Sequence, residues 1–254
     1  MRILVCIKRV PAPGARINLT EDAMAIDAKN LGFAISPHEE CAVEEAVQIA
    51  ERTDGHVTVL TMGPPEAEDQ LRASVAVGAN AAHLVITDGS DSDPMATAAA
   101  LLAAIRGLEA DQPFDLILFG NESADSGGYQ VGIRVAHALG RPVVSGVKTI
   151  EVAEGAVTAH RPTDAATEVY EVALPAVLGV KEGINLPRYP TFKGRLNAKK
   201  AEVSSETADA PAGGQQLVRL VQPPQQISEP VVLGTGPGAA EALVDVLAEL
   251  GVVT

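Results

Sequence analysis

Short apolar runs alternate along the chain with longer segments in which apolar residues recur every three or four positions. The apolar runs have the length of strands and occupy residues 3–7, 57–62, 83–87 and 115–120. Segments of helical period follow or separate them, at residues 38–53, 65–77, 94–108 and 130–139. Alternation of this kind is typical of βαβ units. We therefore predict an α/β fold with a doubly wound, mostly parallel sheet.

The pattern changes after Pro142, where the β-type stretches become shorter. They cover residues 143–152, 156–160, 168–173 and 176–180, and they mix Val and Thr with charged residues. This mixture favours a β-rich extension that continues the sheet by antiparallel or mixed pairing. Residues 203–230 then have the proline, glycine and serine content of a linker.

A last helical segment follows this linker at residues 237–250 and carries Ala240, Leu243, Val244 and Leu247 on one stripe. The stripe either packs back on the chain's own domain or is buried on another chain. We predict three parts. They are an α/β domain at residues 1–202, a linker arm at 203–230, and a C-terminal segment at 231–254 whose helix docks on another chain.

Composition excludes a disordered chain, because 46% of the residues are hydrophobic and 20% are charged. Aromatic residues make up 3% and Trp is absent, so the core has to be built from Ala, Val, Leu and Ile. The net charge of −14 argues against binding of nucleic acid or of anionic membranes. A local excess of Lys and Arg at residues 181–200 is the exception, and a solvated face is its ordinary interpretation.

The N-terminal apolar run is too short, and too soon followed by Lys8 and Arg9, to form a signal peptide or a membrane span. We therefore expect a cytoplasmic protein. Neither Cys6 nor Cys41 has a CxxC partner, and the five histidines have no ligand spacing, so no metal site is expected. Signatures of catalytic serine, cysteine and zinc sites are absent as well, and we expect no catalytic residues.

Ligands of an open parallel sheet bind where the strands end, and the loop at residues 121–132 is the most informative of these ends. It reads Asn-Glu-Ser-Ala-Asp-Ser-Gly-Gly-Tyr-Gln-Val-Gly and joins a buried strand to a helix. Its small residues let the backbone approach a ligand, and amides at the helix start would receive a phosphate. An ordinary turn has a similar composition, and Asp125 is open to two interpretations, a ribose contact or a helix cap. Neither GxGxxG nor a P-loop motif occurs, so a dinucleotide dehydrogenase and a P-loop NTPase are not supported.

Several motifs make the chain similar to a known family. They are Leu-Pro-Ala-Val at 174–177, Leu-Pro-Arg-Tyr-Pro-Thr at 186–191, Asn-Ala-Lys-Lys at 197–200, Val-Cys-Ile-Lys-Arg-Val at 5–10, Ala-Val-Glu-Glu-Ala at 42–46 and the loop at 125–132. With these motifs the chain resembles the β subunit of electron-transfer flavoproteins over nearly its whole length. The resemblance implies a Rossmann-like, adenine-nucleotide-binding fold and a heterodimer with an α subunit. This heterodimer would accept electrons from flavin-dependent dehydrogenases. It also implies a redox FAD held mainly by the α subunit and an AMP buried in this chain, whose place a second FAD takes in electron-bifurcating relatives.

The same resemblance carries a nucleotide pocket onto this sequence. The residues implied to line it are Cys6, Ser36, Pro37, His38, Glu39, Met62, Gly63, Ser123, Asp125, Ser126, Gly127, Gly128, Tyr129, Gln130, Val131, Gly132 and Arg134. The family's Asn-Gln-Thr is replaced here by Tyr-Gln-Val at 129–131, which removes a hydroxyl donor to the phosphate. Because Gln-Val-Gly also occurs in bifurcating relatives, AMP and FAD both stay open, with AMP favoured.

The resemblance further implies a recognition loop at residues 187–197 that docks the dehydrogenases. Its implied docking residues are Arg188, Tyr189, Pro190, Thr191, Phe192 and Leu196, with Phe192 as the apolar anchor. Basic residues around the loop would steer acidic partners. Two other functions compete with this one. The first is a stand-alone adenine-nucleotide-binding signalling module, which leaves the 186–191 motif and the last helix unexplained. The second is a nucleotidyl transferase, which would need metal carboxylates and a phosphate-activating lysine motif, and the sequence has neither.

Overall fold

The computed structural model describes residues 1–88, 93–207, 214–224 and 230–253, so part of the predicted linker lies outside the described residues. The chain divides into a large unit at residues 1–220 and a small one at 221–254. The strands are β1 (Arg2–Cys6), β2 (Arg9–Pro11), β3 (Phe33–Ile35), β4 (His56–Gly63), β5 (Ala81–Ile86), β6 (Leu116–Gly120), β7 (Val143–Val147), β8 (Thr149–Ala153), β9 (Ala156–Pro162), β10 (Thr167–Ala173), β11 (Ala176–Val180) and β12 (Val203–Thr207). The helices are α1 (Pro37–Thr53), α2 (Glu68–Ala76), α3 (Pro94–Leu108), α4 (Val131–Leu139), α5 (Phe192–Lys200) and α6 (Ala240–Glu249).

One seven-stranded sheet dominates the large unit, with the strand order β12-β5-β4-β1-β6-β11-β7. All its neighbouring strands run parallel, which confirms the predicted α/β class. The chain proceeds from β1 outward through β4 and β5, and then returns to place β6 on the other side of β1. A reversal of this kind opens a crevice between the carboxyl ends of the two central strands. We call it the β1/β6 crevice.

Helices cover both faces of this sheet, and the alternation of side chains along β1 shows why. Ile3 and Val5 enter the apolar layer that contains α1, whereas Leu4 and Cys6 enter the layer formed with α3 and α4. Both faces of the strand are therefore buried, as an unbroken apolar run predicts. Each buried Leu or Ile side chain of this kind stabilises the fold by roughly 1.5–3 kcal/mol.

The β-rich extension differs from the prediction in one respect. β7 and β11 join the main sheet in parallel, but β8, β9 and β10 form a separate antiparallel sheet. The run at 143–152 is divided because Gly146 adopts a φ of +73° and Lys148 N already donates to the carbonyl oxygen of His160, at 2.8 Å. A positive φ is a conformation that glycine adopts readily, so the strand turns away there from the main sheet.

Three elements escaped the sequence patterns. The hairpin of β2 and β3 occupies a region read as loop, and α5 occupies much of the predicted recognition loop. α5 was missed because most of its side chains are exposed, so no apolar stripe marks it. β12 lies in the predicted linker and extends the main sheet beside β5. Its side chains are also largely exposed, as expected of an edge strand, so the apolar alternation that identifies strands is absent.

The small unit contains a 3-10 turn at Gly236–Ala239 followed by α6. Helix α6 agrees with the helix predicted at residues 237–250, and none of its residues is buried. Leu243 and Val244 of the apolar stripe are each about half exposed, at 49% and 55%. Among the helices of the described residues, none is both long and apolar enough to cross a membrane.

Candidate functional site

Three loops meet at the β1/β6 crevice, and two helices begin there. Lys8 lies two residues beyond β1, the first turn of α1 follows Ser36, and the loop at residues 121–130 leads from β6 into α4. Ser36 is fully buried, and its hydroxyl donates to the carbonyl oxygen of Glu122 at 3.4 Å. Pro37 is the first residue of α1, where a missing backbone N–H is harmless.

An ion pair joins the ends of β1 and β6. Lys8 Nζ lies 2.6 Å from Asp125 Oδ2 and 3.4 Å from the hydroxyl of Ser126. Burial raises the pKa of Asp125, but the hydrogen bond and charge of Lys8 outweigh this effect and hold that pKa below its ordinary value. Asp125 is therefore ionised and paired. Lys8 is not among the site residues predicted from the sequence, although its position shortly after a buried strand was a signal.

Glu39 lies beneath this ion pair with its carboxylate buried. Burial raises its pKa to about 8, while the backbone N–H and the charge of Lys8 lower it and Asp125 raises it further. The first turn of α1 also packs tightly on the end of β6, since a Cβ added at Gly120 would lie 2.6 Å from Glu39 Cγ. Below about pH 8 the Glu39 carboxyl is therefore mostly neutral and does not repel an anion.

His38 bridges two segments and uses both ring nitrogens to do so. Its Nδ1 accepts the backbone N–H of Glu182 at 2.9 Å, and its Nε2 lies 3.3 Å from Glu122 Oε1. An Nδ1 that accepts a hydrogen bond carries no proton, so the proton resides on Nε2 and is directed at Glu122. The nearby Glu122 carboxylate also raises the pKa of the Tyr129 hydroxyl. His38 thus forms part of the wall of the crevice.

The loop after β6 is tied together by its own polar groups. The hydroxyls of Ser123 and Ser126 lie 3.1 Å apart, and the N–H of Gly127 donates to the carbonyl oxygen of Ser123. Gly127 adopts a φ of +62°, which a residue with a side chain seldom takes. At the start of α4, the guanidinium of Arg134 donates to Gln130 Oε1 through Nε at 3.2 Å and through Nη2 at 2.9 Å.

The start of α4 is suited to receive an anion. No side chain caps this helix, so its first N–H groups lack the hydrogen bond that a capping residue supplies. Val131 is the first helical residue, after Gly128 and Tyr129 in the loop. Gly132 allows α4 to pack closely on β6, because a Cβ there would lie 2.9 Å from Phe119 Cγ. Uncapped amides together with the helix dipole attract phosphate groups.

The remaining predicted pocket residues lie at the ends of β1 and β4. Cys6 is 4% exposed and packs in the apolar layer with α3 and α4, against which Met62 also packs. Burial, and next the charge of Glu39, raises the pKa of the Cys6 thiol far above its ordinary value, so the thiol stays protonated. Gly63 ends β4, and its carbonyl oxygen accepts the N–H of Thr87 at 2.9 Å.

The predicted docking residues lie in a different region, residues 182–196, which we call the docking segment. Arg188 fixes this segment to α1, because its guanidinium donates to Glu44 at 2.9 Å and to Glu51 at 2.6 Å. The hydrogen bonds with Glu51 and Glu44 raise the pKa of Arg188 above its ordinary value. Arg188 is therefore engaged within the chain.

The other docking residues differ in exposure. Tyr189 and Phe192 are 92% and 80% exposed, whereas Leu196 is 43% exposed. Thr191 caps the start of α5, where its hydroxyl oxygen accepts the N–H of Gly194 at 3.0 Å, while Pro190 is partly buried. The docking segment therefore has a fixed backbone and projects two aromatic rings into solvent. Within the described part of the chain, no group of three or more His, Cys, Asp or Glu side chains is arranged to hold a metal ion.

Comparison with known proteins decides the family. The model of the electron transfer flavoprotein domain matches residues 23–211, which include α1, the loop after β6 and the docking segment. The chain belongs to the electron transfer flavoprotein family. A relative from Syntrophomonas wolfei, named electron transfer flavoprotein subunit beta, is 37% identical over 225 residues, which cover 88% of this chain and 86% of the relative.

Further members of the electron transfer flavoprotein family match at similar length. The relative from Mycobacterium leprae carries the same name and is 36% identical, covering 90% of this chain and 91% of its own. A third relative, from Acetobacterium woodii, is named caffeyl-CoA reductase-Etf complex subunit CarD and is 31% identical, covering 92% of this chain and 93% of its own. The resemblance to β subunits is thereby confirmed, and the chain is related to flavoproteins that carry electrons.

Proposed function

We propose that the chain is the β subunit of a heterodimeric electron-transfer flavoprotein, which accepts electrons from flavin-dependent dehydrogenases and passes them to a downstream acceptor. In this proposal the chain contributes no catalytic residues. A redox FAD, shared with or held by the α subunit, supplies the electron-transfer chemistry when it is bound. This chain binds a nucleotide and docks the partners.

The β1/β6 crevice is the proposed binding site for AMP, and one observation carries this assignment. The ion pair of Lys8 and Asp125 joins the two central strand ends beside the uncapped start of α4. An adenosine phosphate placed there would direct its phosphate at the α4 amides, near the cationic groups of Lys8 and Arg134. Asp125 is positioned to accept a ribose hydroxyl, as a carboxylate ionised by its lysine partner can do.

The walls of the crevice are compatible with a dianionic ligand. Asp125 is neutralised by Lys8, and the raised pKa of Glu39 leaves its carboxyl mostly neutral below about pH 8. Cys6 and Met62 border an apolar layer at the strand ends, which suits an adenine ring. These features support a nucleotide phosphate at the crevice.

A second FAD in the place of AMP is the alternative ligand. Its support is the Tyr-Gln-Val sequence at 129–131 and the relative named as a subunit of a caffeyl-CoA reductase-Etf complex. The exposed ring of Tyr129 at the mouth of the crevice offers a stacking surface to a larger ligand.

Two surfaces are proposed to bind protein partners. Tyr189 and Phe192 project from a segment that Arg188 holds rigid, which suits an anchor on a dehydrogenase. The apolar stripe of α6 is proposed to dock on the α subunit, since Leu243 and Val244 remain half exposed. A helix of this length depends on tertiary packing for its stability, so a partner surface would also favour its folding.

Co-expression of the chain with the α subunit tests the proposal. We expect a stable heterodimer with a flavin absorption spectrum, and release of AMP when the purified complex is denatured. Two equivalents of FAD and no AMP would favour the alternative ligand. A colourless complex free of any adenylate would contradict the proposed function.

A further inference from the structure

We propose that His38 is a positioning residue that couples the β1/β6 crevice to the docking segment, so that a nucleotide bound in the crevice makes the docking segment more rigid. The inference rests on the proposed function, because it requires an adenine nucleotide in the crevice. It assigns to α1 the role of a shared support, with the crevice at its first turn and the docking segment along its length.

The crevice side of this coupling starts from Glu122, the second residue of the loop after β6. His38 Nε2 lies 3.3 Å from its carboxylate, and the hydroxyl of Ser36 donates to its carbonyl oxygen at 3.4 Å. The same carboxylate raises the pKa of Tyr129, which belongs to the other end of the loop, so the two side chains lie close together. A ligand that orders residues 123–130 therefore also fixes the carboxylate that His38 Nε2 contacts.

The docking side starts from the backbone of Glu182, whose N–H donates to His38 Nδ1 at 2.9 Å. From there the docking segment follows α1. Asn185 Nδ2 donates to the carbonyl oxygen of Cys41 at 3.0 Å, and the guanidinium of Arg188 binds Glu44 and Glu51. His38 therefore holds the start of the docking segment, just after β11 ends. The exposed rings of Tyr189 and Phe192 follow later in the same segment.

The imidazole has little freedom to respond to one neighbour alone. His38 is 8% exposed, and a Cβ added at Gly120 would lie 3.2 Å from its Cβ. The ring contacts the Glu122 carboxylate through Nε2 and accepts the Glu182 N–H through Nδ1, so a rotation of the ring disturbs both contacts together. A nucleotide that orders the loop also orders the His38 ring. The docking segment can then become ordered with a smaller further loss of conformational entropy. Linkage then requires that a docked partner tightens nucleotide binding by the same factor.

Two substitutions separate the two halves of the bridge. In His38→Asn the amide can replace Nδ1 and keep the bond to Glu182, but it does not reach Glu122. In His38→Gln the amide can replace Nε2 and keep the bond to Glu122, but it leaves Glu182 unpaired. The experiment measures hydrogen–deuterium exchange of the amides at residues 182–186 in the full chain within its heterodimer, after removal of bound nucleotide and with AMP, or else FAD, added back.

In the unsubstituted protein we expect saturating AMP to slow exchange at residues 182–186 by about fivefold or more, the lower end of ordinary allosteric couplings. His38→Gln should still bind AMP, but exchange at these residues should become fast and indifferent to AMP. His38→Asn should keep slow exchange without ligand, bind AMP about tenfold more weakly as expected for the loss of one polar contact with a carboxylate, and lose the response.

The outcomes distinguish this inference from the proposed function. If AMP or FAD binds and the unsubstituted docking segment does not respond, or if His38→Gln responds as fully as the unsubstituted protein, the coupling is refuted while the proposed function stands. If neither nucleotide binds the unsubstituted protein, the proposed function fails and the coupling fails with it.

Discussion

The β1/β6 crevice and the docking segment are built on the same helix but hold their functional groups in opposite ways. In the crevice, charged side chains of three loops are paired with one another and only partly exposed, as the contacts of Lys8 and Asp125 illustrate. In the docking segment, ion pairs fix the backbone, and the apolar rings of Tyr189 and Phe192 remain in solvent. The first arrangement suits a small polar ligand, and the second suits a protein surface.

The largest expected effect concerns the buried carboxyl of the crevice. The pKa of Glu39 is about 8 in the folded chain, against an ordinary value of 4.5. Between these values the folded chain retains a proton that the unfolded chain has lost, so the free energy of unfolding should fall as pH rises, by up to about 1.4 kcal/mol per pH unit. Urea unfolding of Glu39→Gln across this window should show that slope removed, and Glu66→Gln, at an exposed site, should retain it.

Gly120→Ala should disturb the crevice by overpacking. Its Cβ would lie 2.6 Å from Glu39 Cγ, so we expect the free energy of unfolding to decrease by about 2–3 kcal/mol. Gly107→Ala is the matched control, because nothing lies within 4 Å of its Cβ and alanine favours a helix. Chemical denaturation measures both. Equal stability of the two variants would contradict the tight packing of α1 on β6.

Arg188→Ala tests how the docking segment is held. The substitution leaves the buried carboxylate of Glu44 without its guanidinium partner, and we expect a loss of about 1–2 kcal/mol, since part of the guanidinium is solvated. Arg52→Ala is the control, because its contact with Glu45 spans 3.8 Å and its side chain is mostly exposed. An unchanged thermal midpoint for Arg188→Ala would show that other contacts hold the segment.

Lys8→Met should weaken AMP binding by about tenfold or more, through loss of a cation near the phosphate. Lys29→Met changes the net charge equally, away from the crevice contacts, and should leave the affinity unchanged. Calorimetric titration with AMP and with adenosine sharpens the test, because adenosine lacks the phosphate. An equal loss for both ligands would mean that Lys8 supports only the fold of the loop.

Phe192→Ala should act on the partner alone. Removal of this exposed ring should leave flavin content and stability unchanged, but slow electron transfer from a flavin-dependent dehydrogenase by roughly fivefold, the effect of a modest interface anchor. Leu186→Ala is a useful comparison, because Leu186 is 88% exposed in the same segment but lies outside the predicted anchor position. Transfer at the unsubstituted rate in Phe192→Ala would exclude this ring as the anchor.

The sequence patterns identified the elements whose side chains are buried. They missed the elements that are stabilised by backbone pairing or by close backbone contact with a neighbouring helix. Helix α3 and strand β11 have the predicted bounds because apolar residues mark both. Strand β12 depends on backbone pairing with β5, and α5 depends on a close approach to α2, where a Cβ at Gly194 would lie 2.2 Å from the carbonyl oxygen of Ala76. Neither contact leaves a periodic signal in the sequence.

The location of the candidate site could be predicted from the sequence, but the pairing of its side chains could not. The end of β6 was predicted as a ligand site because loops at parallel strand ends form crevices. The partnership of Lys8 with Asp125 and the contacts of His38 with Glu122 and Glu182 join residues that lie far apart in the sequence, and only the fold brings them together. Arg188 is also engaged with α1, a contact that the sequence did not predict, and its contact with partners stays a prediction.

The placement of tyrosine provides the chain with built-in optical probes. The sequence contains three tyrosines and no Trp. Tyr129 stands at the crevice and Tyr189 on the docking segment, both exposed, while Tyr170 belongs to the small antiparallel sheet. Ultraviolet fluorescence of the isolated chain is therefore free of an indole background, and phenylalanine replacement of one tyrosine at a time would resolve nucleotide binding from partner docking without an added dye.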